Sequence, residues 1–589
     1  MTLLGYALLA LVAGAMPVAA AWLTTSLVDG LITGLPTGRV VTLTAGLALL
    51  GGAAATLPQL NQCLRAALER EVGLLTQDRL FRAVERFIGL APFEDPRFLD
   101  RLRLAHQVGG TAPCRAVDGV IGSVQAAVTV VGFTSSLFLL GPLMAALVLA
   151  SGIPALVAEV ALSRRRARML WDIGPAERRE FFYSHLLASV EAAKEVRLFG
   201  TGGFLRSRMT AERRRANAAR RAVERREAAT QSLLGILAAA VAGGGLLWAV
   251  TSTTRGTLSV GGVALFTAAV AGIQGSLATL AGEVARTHQS LLLFDHHLVV
   301  TGSAPDLPVA SPGLPLPPLR EGIELRDVWF RYSDDHPWVL RGVTLSIPRG
   351  TSLALVGLNG AGKSTLVKLL CRFYDPTRGR ILWDGTDIRH ADPAQLRQRI
   401  GAVFQDYMQY DMSAAENIGL GDLSAFGDQA RIRAAARAAG VHEVLTGLPR
   451  GYDTPLTRAF FVEADPADPA TGVELSGGQW QRLALARAFL RDRRDLMILD
   501  EPSAGLDAEA EHEIHRSLRE HREGRTSLLI SHRLGAVRDA DLIVVLADGR
   551  VAELGGHAAL MAADGSYARL FALQASGYQT VPAPSGGRP

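Results

Sequence analysis

Lysine is nearly absent from these 589 residues: Lys194, Lys363 and Lys368 are the only three, and arginine supplies the rest of the 61 basic side chains. At a net charge of +5, this preference for arginine over lysine reads as a coding bias of the kind a GC-rich genome imposes, not as a nucleic-acid surface. Cysteine is equally sparse. Cys63, Cys114 and Cys371 form no C-x-x-C and no metal-ligand spacing, which excludes a disulfide scaffold and a cysteine metal site. No Lys or Arg precedes Arg39, so the apolar start lacks the basic region of a secretory signal and reads as a membrane span. No short-period repeat is visible. What the chain has in excess is apolar: 49% hydrophobic residues and a mean hydropathy of +0.20, high for a soluble enzyme.

A membrane-crossing helix needs about 20 consecutive, mostly apolar residues. Six such runs fall in the first 300 residues: Leu3–Leu27, Val40–Leu60, Val117–Leu140, Pro142–Leu162, Gln231–Thr251 and Val260–Leu280. Arginines orient them. Nine lie between Asn61 and Val117, and sixteen plus Lys194 lie between Ser163 and Gln231; the other connections hold only Arg39 and Arg255. By the positive-inside rule the two basic connections are cytoplasmic, with both termini and everything after the spans. The spans hold few ionisable residues. Asp118 and Glu159 lie near cytoplasmic ends, with Gln125, Gln231 and Gln274 deeper. Intramembrane charges mark polar pathways, so their scarcity favours a hydrophobic or amphipathic ligand over a hydrophilic one at these helices.

The last 270 residues carry phosphate chemistry. Gly357-Leu358-Asn359-Gly360-Ala361-Gly362-Lys363-Ser364-Thr365 matches G-x-x-x-x-G-K-S between an apolar run, Ser352–Val356, and a helix-like segment from Leu366. Glycines there let backbone N–H groups close on phosphate oxygens at a helix N-terminus. Lys363 adds a point charge, and Ser364 a hydroxyl for Mg²⁺. Downstream, the apolar run Leu496–Leu499 ends in Asp500-Glu501.

Leu475-Ser476-Gly477-Gly478-Gln479, followed by Leu496–Glu501, Gln405 closing GAVFQ, Tyr332 in VWFRY and His532 after Thr526–Ile530, resembles the ATP-binding cassette (ABC) family, with the motifs in that family's order. FEDPRFLDRL (Phe93–Leu102) and EAAKEVRLFG (Glu191–Gly200) resemble the intracellular segments of its exporter-type transporters. The resemblance implies a membrane all-α domain of six helices, an α/β P-loop NTPase domain with a helical subdomain, and coupling helices near Pro92–Asp100 and Arg178–His185. The expected division is 1–300 transmembrane, 301–320 an exposed Pro-rich linker, 321–575 the cassette, and 576–589 a disordered tail. Family members usually begin with an interfacial helix, which fits a start codon upstream of Met1.

The same resemblance assigns roles. Lys363 and the loop amides from Gly357 to Thr365 hold the β- and γ-phosphates; Ser364, Gln405 and Asp500 hold Mg²⁺; Glu501 is the general base; His532 contacts the γ-phosphate; Tyr332 stacks on adenine. Ser476, Gly477, Gly478 and Gln479 cap the ATP of a second cassette, and Asp507 links the two sites. One cassette and six spans make a half-transporter, so a dimer is implied, a homodimer being the simpler reading and a heterodimer remaining open. The acidic, Pro-containing insertion VEADPADPAT before LSGGQ departs from the family pattern and puts its contact with the coupling helices in doubt. The implied activity is ATP-driven export of a lipid, drug-like molecule or modified peptide across the cytoplasmic membrane. The alternatives are an exporter-shaped importer of a siderophore-like ligand, and a soluble-type cassette ATPase acting on nucleic acid or ribosomes. No nucleic-acid partner is expected.

Overall fold

A computed structural model describes residues 2–309, 313–457, 472–491, 494–503, 508–522 and 524–576. The chain forms two compact units: Met1–Glu85 with Pro96–Ser303, and Arg86–Asp95 with Ala304–Pro589.

The first unit is helical. In chain order the helices are α1 (Thr2–Thr33), α2 (Thr37–Glu85), α3 (Ala91–Glu94, which belongs to the second unit), α4 (Pro96–Gly109), α5 (Ala112–Leu140), α6 (Pro142–Ala188), α7 (Val190–Leu198), α8 (Gly202–Thr254) and α9 (Val260–Gly302). Among the described residues six helices are long and apolar enough to cross a membrane, and each contains one expected span. Several continue far beyond it: 49 residues of α2 rise about 74 Å, against about 30 Å of hydrocarbon. The core sits where α5 and α9 meet, with Phe133 and Leu137 packed among Leu265, Phe266, Ala269 and Ile273. Small residues permit the approach. A Cβ on Gly272 would stand 2.3 Å from Phe133 Cε2, and one on Gly119 would stand 1.9 Å from Thr287 Oγ1.

Two expectations change here. The expected coupling helix at Pro92–Asp100 is split into α3 and α4 by the extended Asp95. The one expected at Arg178–His185 lies inside α6, which runs unbroken to Ala188. The first N-cap side chain after that point is Ser189, whose hydroxyl accepts from Ala192 N at 3.3 Å and starts α7 instead.

The second unit has two sheets. Strands β1 (Gly322–Phe330), β2 (Leu340–Pro348), β4 (Arg378–Trp383) and β5 (Thr386–Asp387) form an antiparallel sheet in the order β2-β1-β4-β5, with β3 (Ser352–Val356) falling between them in sequence. The other sheet is β10-β9-β3-β8-β7-β6, from β6 (Ile400–Val403), β7 (Leu496–Asp500), β8 (Thr526–Ile530), β9 (Leu542–Ala547) and β10 (Arg550–Gly555); all pairings are parallel except β9 with β10. The parallel strands β3, β7 and β8 are apolar almost throughout and buried, as strands covered on both faces must be. The helices are α10 (Lys363–Leu370), α11 (Pro393–Gln398), α12 (Ala414–Gly419), α13 (Gln429–Ala438), α14 (His442–Thr446), α15 (Gly477–Leu490) and α16 (Ala508–Arg522), then three more before Ser576. Helices α12 to α15 share their own core, centred on Ile418, Ile432, Leu445, Leu483 and Phe489.

Among the described residues the linker is mostly exposed but anchored to the cassette. Its described residues are not helical after Gly302, as its prolines require. Two of its apolar residues, Leu316 and Leu319, are buried in the cassette core while Val309 and Leu314 stay exposed, and Leu316 N donates to Gln395 Oε1 at 3.1 Å. The buried Arg372 fixes it further, donating to Pro308 O at 2.7 Å.

Candidate functional site

Strand order builds the site. The C-terminal ends of β3, β8, β7 and β6 lie side by side, the position where open parallel sheets bind ligands. The chain leaves β3 into the Gly-rich loop, β8 into Ser531-His532, β7 into Glu501 and β6 towards Gln405. Asn359, Gly360, Gly362, Lys363, Ser364, Thr365, Gln405, Glu501 and His532 line one cavity of about 680 Å³ with Val339 and Ile530.

The loop is shaped around an anion. Gly362, at φ 103, admits no side chain, since a Cβ would meet Leu340 Cδ2 at 2.6 Å. Gly357, at φ 156, faces Leu546 O, which a Cβ would approach to 2.3 Å. Lys363 Nζ donates to Gly357 O at 2.8 Å and Leu358 O at 3.0 Å, so the ammonium is held under the loop by the loop's own carbonyls. Burial lowers its pKa, against the charges of Glu501 and Asp500.

Opposite stands the end of β7. Burial pushes the Asp500 carboxyl up to about 6, and the Glu501 charge adds to this; the Ser364 hydroxyl and Lys363 act the other way. Glu501 sits at φ 48, a left-handed conformation that costs a non-glycine residue about 1 kcal/mol. It is tied there by Glu501 N donating to Ile530 O at 2.9 Å. The β7–β8 register, which pairs Asp500 with Ile530, brings Glu501 alongside His532, and His532 Nε2 lies 2.6 Å from Glu501 Oε1. Two neighbours that motif reading missed steady the pair. Gln481 Nε2 donates to Glu501 O at 3.3 Å, and Gln574 Nε2 donates to His532 O at 2.5 Å. Gln481 was within reach of the sequence, two residues after the LSGGQ string; Gln574 carried no signal.

The donor set fits Mg²⁺. A hydroxyl, a carboxylate and an amide oxygen are hard ligands, and Ser364, which contacts Asp500, lines the cavity with Gln405. Among the described residues no group of three or more His, Cys, Asp or Glu side chains could hold a metal alone.

Other expected site residues lie elsewhere. Ala361 is buried beneath the loop. Ser476 caps α15, accepting from Gln479 N at 3.4 Å while Gln479 Oε1 accepts from Ser476 N at 2.9 Å. Neither these two nor Gly477 and Gly478 line the phosphate cavity. Space around Gly477 is open, with nothing within 4 Å of an added Cβ. Asp507 and the insertion at 462–471 lie outside the described residues. Tyr332 stands beside the loop, its hydroxyl 3.1 Å from Thr365 Oγ1 and its ring edge-on to Phe330 and Tyr374.

The segment Arg86–Asp95 completes this unit. Asp306 Oδ1 accepts from Ile88 N at 2.7 Å, and Leu90 N donates to Phe373 O at 3.1 Å. At its end Lys368 Nζ donates to Glu94 Oε1 at 2.7 Å, the Tyr374 hydroxyl donates to Glu94 Oε2, and the same ammonium lies 5.3 Å from the Tyr332 ring centroid. One carboxylate thus joins this segment to the residue expected to hold adenine. A chain that spends two of its three lysines within one helix gave the hint.

Residues 340–504 match the ABC transporter family. The cyclolysin secretion/processing ATP-binding protein CyaB of Bordetella pertussis is 46% identical over 267 residues, 45% of this chain and 35% of that protein. The ATP-dependent lipid A-core flippase of Chromohalobacter salexigens is 43% identical over 252 residues, 43% of this chain and 41% of that protein. The matched stretches thus span less than half the length of either relative. The structure of a bacterial Atm1-family ABC exporter with ATP bound superposes with a TM-score of 0.77 at 23% identity, over 98% of this chain and 99% of that one.

Proposed function

Because this chain joins an ABC transporter ATPase domain to six apolar helices in the exporter fold, we propose that it is an integral membrane half-transporter that dimerises and uses ATP hydrolysis to export a hydrophobic or amphipathic substrate. The single observation that carries this reading is the cavity at the strand ends, which gathers the Gly-rich loop, Gln405, Glu501 and His532 in one place. The curated relatives named for secretion and for lipid A-core flipping support the direction and the cargo class. The arginine-rich connections support a cytoplasmic side for the cassette and both termini.

Lys363 and the loop amides bind the β- and γ-phosphates. Ser364, Asp500 and Gln405 hold Mg²⁺, which when bound neutralises phosphate charge. Glu501 accepts the proton of the attacking water, and His532 orients that carboxylate and reaches towards the γ-phosphate. Such catalysis is mainly positioning and charge stabilisation. The free N-terminus of α15 is a second anion site without a phosphate of its own, which a head-to-tail dimer supplies. Two copies of this chain satisfy that need, since the described motif residues are intact.

The test is ATPase activity in lipid nanodiscs, wild type beside Glu501→Gln. The expected result is turnover in the wild type that falls by about 10²–10⁴-fold in the variant while ATP still binds. Equal turnover in the two would remove Glu501 as the base, and an inactive wild type would point to a heterodimer.

A further inference from the structure

Two cavities in the helical unit meet end to end and differ in polarity. One, of about 460 Å³, is lined by Tyr6, Asn61, Arg65, Asp118, Gln125 and Glu283 among others. The next, of about 390 Å³, is lined by Met16, Pro17, Leu47, Leu50 and Leu57 among others. They share Ala13, Pro58 and Gln125. Along α1 the lining runs from Tyr6 through Ala13 to Ala20. Along α2 it runs the opposite way, from Arg65 through Pro58 to Leu47. The polar part therefore lies at the span ends read as cytoplasmic, where Arg65 and Glu283 stand just beyond Leu60 and Leu280, and the apolar part runs into the bilayer depth. Such a groove is amphipathic along its length.

Its charges are already answered. Arg65 Nε lies 2.7 Å from Asp118 Oδ2, Tyr6 donates to Asp118 Oδ1 at 2.9 Å, and Glu283 pairs with Arg286. Asp118 Oδ2 has the Arg65 charge beside it but no hydrogen bond, whereas Asn61 Oδ1 is buried with neither a hydrogen bond nor an opposite charge. A charged head group would have to break an existing pair, whereas a hydroxyl or amide N–H would satisfy the orphaned acceptor. Resting on the transport reading above, we infer that the groove between α1, α2 and α5 is the cargo-loading site and takes an amphiphile with an uncharged, hydroxyl- or amide-bearing head and one apolar tail. The sequence could not show this, because the six polar residues come from four helices.

The test uses the full chain in nanodiscs with a dodecyl glucoside carrying a photoreactive tail, its crosslinks mapped by mass spectrometry. Labelling is expected within Ala13–Ala20 and Leu47–Leu57. Unlabelled dodecyl glucoside should compete at about tenfold lower concentration than dodecyl phosphate or dodecyltrimethylammonium. Ala13→Trp, which fills the shared seam, should cut labelling about tenfold. As a second arm that keeps the groove open, Asn61→Ala should bring the glucoside's advantage to within about twofold. Labelling elsewhere, labelling indifferent to both substitutions, or equal competition by the charged heads would overturn the assignment. ATP turnover is read separately on the wild type. Turnover stimulated by the glucoside without groove labelling sinks the groove alone, while groove labelling on a protein that hydrolyses no ATP by itself supports the groove and sinks the reading of a self-sufficient homodimeric transporter.

Discussion

The contact between His532 and Glu501 shows what one residue can do through another. At 2.6 Å, an imidazole Nε2–H donating to Glu501 Oε1 holds that carboxylate in the cavity, and on the proposed role of Glu501 as general base the other oxygen takes the proton of the attacking water. Replacing His532 by Ala should therefore lower kcat by about 10²-fold, with the KM for ATP changed less than about threefold, because the phosphates keep Lys363 and the loop. Steady-state kinetics of the two proteins check this; a large rise in KM with unchanged kcat would make His532 a nucleotide-binding residue instead. Both side chains were legible in the sequence as separate motif letters. Their contact was not, since it depends on the register that pairs Asp500 with Ile530, 30 residues later in sequence.

At the level of elements, the informative piece is Arg86–Asp95, which leaves the helical unit after Glu85 and returns to it at Pro96. Apolar runs announced the spans because bilayer thickness sets their length. A helix of four residues has no such signature, and α3 is defined by what it touches. Burial alone would raise the Glu94 carboxyl, but the hydrogen bonds from Lys368 and Tyr374 outweigh it and hold it below the usual range. A carboxylate depressed in the folded chain adds stability that is fully present above its unfolded value, about 4.3, and is lost as pH falls through the lower folded value. The tie is therefore complete at neutral pH and fails only in acid. Glu94→Gln should weaken ATP binding at pH 7 by no more than about fivefold, as suits a partly exposed pair, through loosening of Lys368 beside the Tyr332 ring. In acid, where the wild-type tie is lost as well, the two proteins should converge. Titration with a fluorescent ATP analogue at both pH values measures this, and an undiminished affinity at pH 7 would detach Glu94 from the nucleotide. The linker teaches the complementary lesson. Proline spacing foretold the lack of helix but not the burial of Leu316 and Leu319, which depends on a core formed from residues far along the chain.

For the whole molecule the question is whether the N-terminus of α15, proposed above as an anion site, serves another copy. Ser476 and Gly477 open a helix whose N-terminus faces no phosphate loop of its own, and the space at Gly477 is unfilled. If two copies close head to tail, each ATP is held by the loop of one and the helix end of the other. Lys363→Met should then inactivate one face of each site and Ser476→Arg the other. Either variant alone should be inactive, because both of its composite sites carry a defect. In a mixed dimer both defects fall in the same site, leaving the second site with an intact loop and an intact helix end. Differently tagged variants, co-expressed and purified through both tags, should therefore recover ATP turnover that neither parent shows. Mixed dimers as inactive as their parents would mean that the helix end of one copy does not complete the loop of another, and the two cassettes would then have to be sought on different chains.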